Sequence, residues 1–283
     1  MDFKSIDWNA MWQQESRHSH LKDNSSQQEL WNRRADRFGK KVNHVKDGET
    51  RDKDDYIYQM LERIEIRPGW TVLDIGCGPG TLTIPLAKKA ASVTALDISS
   101  EMLKRLRSDA ESSGLSNIQY LNSSWQDAFA NKQVGNHDVV VASRSLSSGD
   151  MKEALSNIVA ITRQAAFLTS PIVHLPFDWE AYKAIGRYGK GHARYIYIYN
   201  MLFQMGIQAN VEILYCKVKA QFSSVEEAID DLQWRTDPFS TDEKKKLREF
   251  LKSKFVEEQD SSVFTHEGQS KWALIWWRKE NQE

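Results

Sequence analysis

The chain has 283 residues, 40% apolar and 27% charged, with a formal net charge of -1. Such a length buries a full core for one large domain or a domain with a cap, and the charge gives no whole-molecule pull toward nucleic acid or an anionic membrane. Two cysteines, Cys77 and Cys216, supply neither a disulfide framework nor a zinc ligand set, so a reducing, cytoplasmic setting without a metal is expected.

The opening residues, MDFKSIDWNAMWQQ, lack a basic region followed by an apolar one, and no apolar run approaches the roughly 18 residues of a spanning helix. Trp8, Met11 and Trp12 at helical spacing predict one weak amphipathic helix before about Gln28, closed by a joint at DNSSQQ. Leu30, Trp31, Ala35 and Phe38 then mark a second helix face. YIYQMLERIEI reads as a third helix, ended by Arg67-Pro68-Gly69. These helices, residues 1–69, are expected to form a lid.

From Trp70 the pattern changes. Short apolar runs at Thr71–Ile75, Ser92–Leu96, Ile118–Leu121, Asp138–Ala142 and Ala165–Thr169 alternate with helical stretches at Thr81–Ala91, Ser100–Ser112 and Met151–Gln164. Near-continuous apolar strands alternating with helices predict an α/β core, a doubly wound and mostly parallel sheet covered on both faces. NSSWQDAFANKQVGN reads as an irregular connection. Asn210–Lys217 and Lys271–Arg278 supply two more strands, making seven. Residues 70–283 thus form the core, with helical insertions at about 175–206 and 223–256. In the first insertion YIYIY alternates like a strand and runs into a helix-like stretch, so its start stays open. The second reads as two helices broken at Asp237-Pro238.

The most informative stretch is TVLDIGCGPGTL, Thr71 to Leu82. In an open parallel sheet ligands bind beyond the carboxyl ends of the strands, and Asp74–Gly80 occupies that place. Gly76, Gly78 and Gly80 permit positive φ and remove side chains, so main chain can touch a ligand. A helix starting near Thr81 would point free N–H groups at the loop and favour an anionic group. The second strand ends in Asp97, a carboxylate able to accept hydrogen bonds from ribose hydroxyls. The spacing is G-x-G-x-G, with Thr81 where a dinucleotide-binding loop carries its third glycine, which counts against NAD or FAD.

VLDIGCGPG followed by ALDIS resembles the first motif and ribose acid of the class I S-adenosylmethionine-dependent methyltransferases. The resemblance is specific over Val72–Met102 and implies that family's seven-stranded sheet, its activity and S-adenosylmethionine as cofactor. It implies that Asp74 organises the methionine amino end. The loop Gly76, Cys77, Gly78 and Gly80 would lie against that moiety, and Asp97 would hold the ribose. Ile98 and Met102 would sandwich the adenine. An acid that often meets the adenine amino group falls on Ser124, a departure from the pattern, with Asp127 as the alternative and the Trp125 main chain beside it. Ser143 would meet the cofactor at the mouth after the fourth strand.

No catalytic constellation is visible, and methyl transfer from an activated sulfonium needs chiefly alignment and exclusion of water. Trp31, Arg144, His174 and Tyr195 are candidates for the substrate side, with His192 a further possible proton acceptor. A basic run, Lys183 to Arg194, raises nucleic-acid methylation, but the overall charge and the absence of a [DNS]-P-P-[YFW] motif favour a small-molecule substrate. A methyltransferase-like subunit that binds the cofactor without transferring remains the reading from another class.

Overall fold

The apolar runs become the strands that the alternation predicts. The computed structural model describes residues 5–16, 24–41, 55–146, 148–173, 177–187, 194–233, 238–254, 256–257 and 264–279. The parallel set is β1 (Thr71–Ile75), β2 (Ser92–Asp97), β3 (Ile118–Asn122), β4 (His137–Ala142) and β5 (Thr162–Val173). Two long strands, β6 (Asn210–Phe222) and β8 (Phe264–Arg278), complete the seven, and a two-residue β7 (Val256–Glu257) pairs with β8. The order is β3-β2-β1-β4-β5-β8-β6. Pairing is parallel from β3 to β5 and antiparallel on both sides of β8. The chain order reverses between β1 and β4, the switch point at which open sheets of this kind bind ligands.

Alternate residues of each strand feed two different cores. Val72, Val139, Val141, Phe167 and Leu274 face one side, where α3 (Tyr56–Arg63), α4 (Thr83–Ala87) and α5 (Ser100–Ser112) pack. Leu73, Val140, Leu168 and Trp277 face the other, under α1 (Trp8–Ser16), α6 (Trp125–Ala130), α7 (Met151–Ile161) and α9 (Tyr195–Gln204). Leu73, Phe167 and Trp277 are among the largest fully buried side chains. Each such burial is worth about 1.5–3 kcal/mol, so this two-sided core fixes the strand register and with it the strand tips.

A third core lies apart from these. The β6–β8 ladder runs from Asn210–Trp276 to Phe222–Phe264, whereas β5 meets β8 only as far as Val173–Lys271. The far end of the ladder therefore projects past the carboxyl end of β5. On it sit α8 (Asp178–Ala184), α10 (Val225–Gln233) and α11 (Thr241–Lys254), joined by Phe177, Tyr182, Phe222, Ile229 and Leu247. Arg187 and Glu243 tie this unit by an ion pair at 2.7 Å, and the guanidinium holds the Glu243 carboxyl down to about 2.

Several local expectations change. YIYIY is helical, because Ile198, Met201 and Leu202 must face the second core together, a spacing that only a helix provides. The connection expected to be irregular contains α6, capped by Ser124. The helix α4 begins at Thr83 and ends at Ala87, with Pro85 inside it, so it is far shorter than Thr81–Ala91. The joint DNSSQQ is helical from Asn24, since α2 spans Asn24–Lys41. Helix α7 stops at Ile161, and β5, β6 and β8 are longer than their apolar runs. Helix α3, grouped with the lid from sequence, packs into the first core through Tyr56, Ile57 and Met60.

Candidate active site

The three glycines of the loop do different things. Gly76 has φ +67, and a Cβ placed on it would lie 2.3 Å from Ser145 Cβ. Its N–H and that of Cys77 donate to Leu96 O at 2.7 and 3.1 Å, and Ser145 Oγ donates to Ile75 O. The loop thus leaves the sheet clamped between the ends of β2 and β4. Gly80, at φ +90, is filled by α5, because its Cβ would meet Leu106 Cδ1 at 2.1 Å. Gly78, at φ +54, has nothing within 4 Å of that position. Of the three, Gly78 alone turns bare main chain to open space.

Asp97 holds this surface in place. Its Oδ2 accepts from Gly78 N–H and its Oδ1 from Ser99 N–H, both at 2.8 Å. Sequence reasoning assigns Asp97 to a ribose. In the fold it also latches the loop, and the second lone pair of each oxygen remains for hydroxyl donors. Asp74 lies deeper, at the end of β1, and accepts from Thr83 Oγ1 at 2.7 Å. Burial, reinforced by the nearby Asp97 charge and eased by the Thr83 bond, pushes its carboxyl up to about 7. Burial also raises Asp97 and lifts the Cys77 thiol well above its usual range, with both acids adding to the latter. Cys77 is thus a buried thiol, unsuited to act as a nucleophile.

Neither Asp74 nor Asp97 has a lysine or arginine partner among the described residues. Two buried acids beside open main chain suit a ligand carrying positive charge and vicinal hydroxyls. S-adenosylmethionine has both, a sulfonium and an ammonium next to a ribose. The helix expected near Thr81 begins at Thr83 and has five residues with no side-chain cap; Ile84 N–H already bonds Gly80 O at 3.0 Å, and Thr83 turns its hydroxyl back to Asp74.

The other predicted residues line up along the neighbouring tips. Ile98 is half-buried, and Met102, buried, opens α5 with its N–H on Ser99 Oγ at 3.2 Å. Asn122 donates from Nδ2 to Asp97 O and Ile98 O, which ties the ends of β2 and β3. The two alternatives after β3 are bonded to each other: Ser124 Oγ donates to Asp127 Oδ2 at 2.6 Å. Trp125 is half-buried, edge-on to Phe129. Trp31 is half-buried on α2, whose Asn32 Oδ1 accepts from Ser99 Oγ at 2.7 Å, two residues from the loop's latch at Asp97. Tyr195 packs against the second core from α9. His174 and His192 lie outside the described residues.

One constellation is absent from the sequence reading. Tyr56 Oη lies 2.8 Å from Ser143 Oγ and 2.9 Å from Thr169 Oγ1, and Thr169 Oγ1 accepts from Arg144 N–H at 2.8 Å. The Arg144 guanidinium sits 4.4 Å above the Tyr56 ring and 6.0 Å from that of Trp272. Burial raises the Tyr56 phenol, against the opposing pull of Arg144 and both hydroxyls, so it stays a neutral hydrogen-bonding group. Its four sources, α3, the β4 tip, β5 and β8, are too far apart in the chain for any local pattern to join them.

Comparison with known proteins agrees with this geometry. A family model described as a methyltransferase domain matches residues 72–165. An uncharacterized protein of Haemophilus influenzae is 35% identical over 223 residues, 78% of this chain and 81% of that one. A ubiquinone biosynthesis O-methyltransferase of Vibrio parahaemolyticus is 33% identical over 119 residues, 42% of this chain and 47% of that one. A 23S rRNA (uracil(1939)-C(5))-methyltransferase of Hahella chejuensis is 39% identical over 62 residues, only 14% of its length. The chain thus spans less than half of either named enzyme. Among solved structures, magnesium protoporphyrin IX methyltransferase of Synechocystis, with bound S-adenosylhomocysteine, has the same fold at TM-score 0.50 and 17% identity, over 68% of this chain and 92% of that one. Sheet order, glycine loop and family match converge on one class. The chain belongs to the class I S-adenosylmethionine-dependent methyltransferases. S-adenosylmethionine is its methyl donor.

Proposed function

We propose that the protein transfers the methyl group of S-adenosylmethionine to a small-molecule acceptor enclosed by helices, in the cytoplasm. The observation that carries this reading is the third core. The ladder of β6 and β8 bears α8, α10 and α11 beyond the carboxyl ends of the strands, the end at which the glycine loop lies. Helix α2 reaches the same end through the bond from Ser99 to Asn32. Walls of this kind favour an acceptor small enough to be enclosed over one long enough to lie across the surface.

The cofactor supplies an already activated methyl group. The chain's part is to hold it, aim the acceptor and keep water out. In this reading Asp74 carries negative charge to the methionine ammonium, and Gly76, Cys77, Gly78 and Gly80 shape the loop against that end. Asp97 accepts from the ribose while it latches Gly78. Ile98 and Met102 flank the adenine, Ser124 and the Trp125 main chain meet its edge, and Ser143 closes the mouth. Trp31 forms a wall on α2. Residues 1–69 and the insertions at about 175–206 and 223–256 act as the cap, except that α3 belongs with the core.

The test is methyl transfer from tritiated S-adenosylmethionine into a cell extract, fractionated afterwards into small molecules, RNA and protein. Label in the small-molecule fraction is expected. Label in RNA or protein instead would reject the acceptor class. Cofactor binding without label anywhere would identify a binding subunit.

A further inference from the structure

Arg144 is held in a conformation that its sequence neighbours do not explain. Two described non-glycine residues have positive φ, Lys132 at 53° and Arg144 at 58°. Lys132 follows the end of α6, where the N–H groups of Lys132 and Gln133 turn back to Phe129 O and Ala128 O, an ordinary way to stop a helix. Arg144 stops no helix. It stands two residues beyond β4, beside Ser145, which fills the space left by Gly76. A left-handed arginine at a strand tip is costly, and surrounding contacts must maintain it. The contacts are visible: Thr169 takes its N–H, Tyr56 bridges Thr169 and Ser143, and the Tyr56 ring carries the guanidinium.

This seat leaves a particular chemistry open. A guanidinium held over a ring can still present N–H groups on its open side, in the fork that matches a carboxylate. Arg144 is exposed, and no carboxylate lies within ion-pair distance of it among the described residues. Ser143 adds a hydroxyl bonded to Tyr56 Oη, on the residue whose ring lies under the guanidinium.

We infer that Arg144, seated on Tyr56 and Trp272, is a carboxylate clamp for the methyl acceptor, so that the acceptor is an acidic small molecule. This deepens the proposed function and rests on it. The cofactor's methionine end also bears a carboxylate, and the experiment distinguishes the two sources.

The small-molecule filtrate of a cell extract, freed of RNA and protein by ultrafiltration, is split by anion exchange into an acidic pool and a neutral-plus-basic pool before reaction with the full chain and tritiated S-adenosylmethionine. Transfer into the acidic pool is expected. Arg144→Gln lowers kcat/KM for that pool about 10–100-fold, chiefly through KM. Arg144→Lys restores only part, because an ammonium cannot make two parallel bonds. Arg144→Gly, which suits the left-handed backbone, melts no lower than the parent yet loses transfer like Arg144→Gln, so a folding defect is separated from a binding one. Calorimetry with S-adenosylhomocysteine gives unchanged affinity for Arg144→Gln. Transfer into the neutral-plus-basic pool, indifferent to Arg144→Gln, would overturn the clamp and leave the proposed function standing. A tenfold loss of S-adenosylhomocysteine affinity would assign the clamp to the cofactor and overturn its assignment to the acceptor. Absence of label from both pools would reject the small-molecule reading and the clamp with it.

Discussion

The two sides of the switch point are built by opposite means. At the tips of β1 and β2 the site is mostly main chain: the bare Gly78, the N–H groups of its loop, and the acids Asp74 and Asp97 near the ends of the two strands. At the tips of β4 and β5 it is side chains: a tyrosine from α3, a threonine from β5 and a tryptophan from β8 brought around Ser143 and Arg144. The first arrangement makes a binding surface that a whole family can share. The second is assembled from side chains that can change residue by residue, which fits the acceptor side proposed for it.

The largest effect is expected where the two sides touch. Gly76→Ala places a methyl group 2.3 Å from Ser145 Cβ in a backbone already left-handed. Strain and overpacking together cost about 3–4 kcal/mol. Gly78→Ala meets open space and costs only about 1–2 kcal/mol of backbone strain, yet puts a methyl group on the ligand surface. Thermal melts should separate the pair strongly, while calorimetry shows Gly78→Ala binding S-adenosylhomocysteine at least about tenfold more weakly. Equal melting temperatures would mean that the glycines share one role after all.

Asp74→Asn sharpens the electrostatic half of the comparison. The Asp74 carboxyl titrates at about 7 in the fold against an ordinary value near 3.8. The unfolded chain therefore gives up this proton more readily, and the folded protein loses stability as pH rises from about 4 to about 7. Asparagine removes that loss, a gain on the order of 2–4 kcal/mol at pH 8 and none at pH 3.5. Cofactor binding moves the other way. A cationic ligand needs ionised Asp74, so affinity in the parent should climb with pH until just above 7 and then level off. In Asp74→Asn it should be weak and flat. A pH-independent parent would remove Asp74 from contact with the cofactor's charge.

This division also explains what the sequence discloses. Alternating apolar runs specify the sheet because burial on both faces leaves few other solutions for them. The loop is legible because Asp74, three glycines and Asp97 act through positions close in the chain. What the pattern hides is context. Nothing local distinguishes Gly80, packed on Leu106, from Gly78, facing open space. Likewise YIYIY alternates but is drawn into a helix by the apolar residues that follow it. Tyr56 looks like one more apolar position on a helix. Only the fold brings its hydroxyl to Ser143 and Thr169.

The smallest effect tests whether the two halves are independent. Tyr56→Phe keeps the ring beneath Arg144 and removes the bonds to Ser143 and Thr169. Thr169 still receives the Arg144 N–H, and half-buried Ser143 has solvent within reach, so the cost is about 1–2 kcal/mol, a fall of roughly 2–4 °C in melting temperature. Affinity for S-adenosylhomocysteine should change less than about twofold, because the glycine loop is clamped through Leu96, Ser145 and Asp97 and not through Tyr56. Acceptor turnover should fall further than stability does, since Ser143 and Arg144 lose a common support. If cofactor affinity dropped as far as in Gly78→Ala, the hydroxyl chain would have to reach the loop through Ser145, and the main-chain and side-chain halves would form a single cooperative unit.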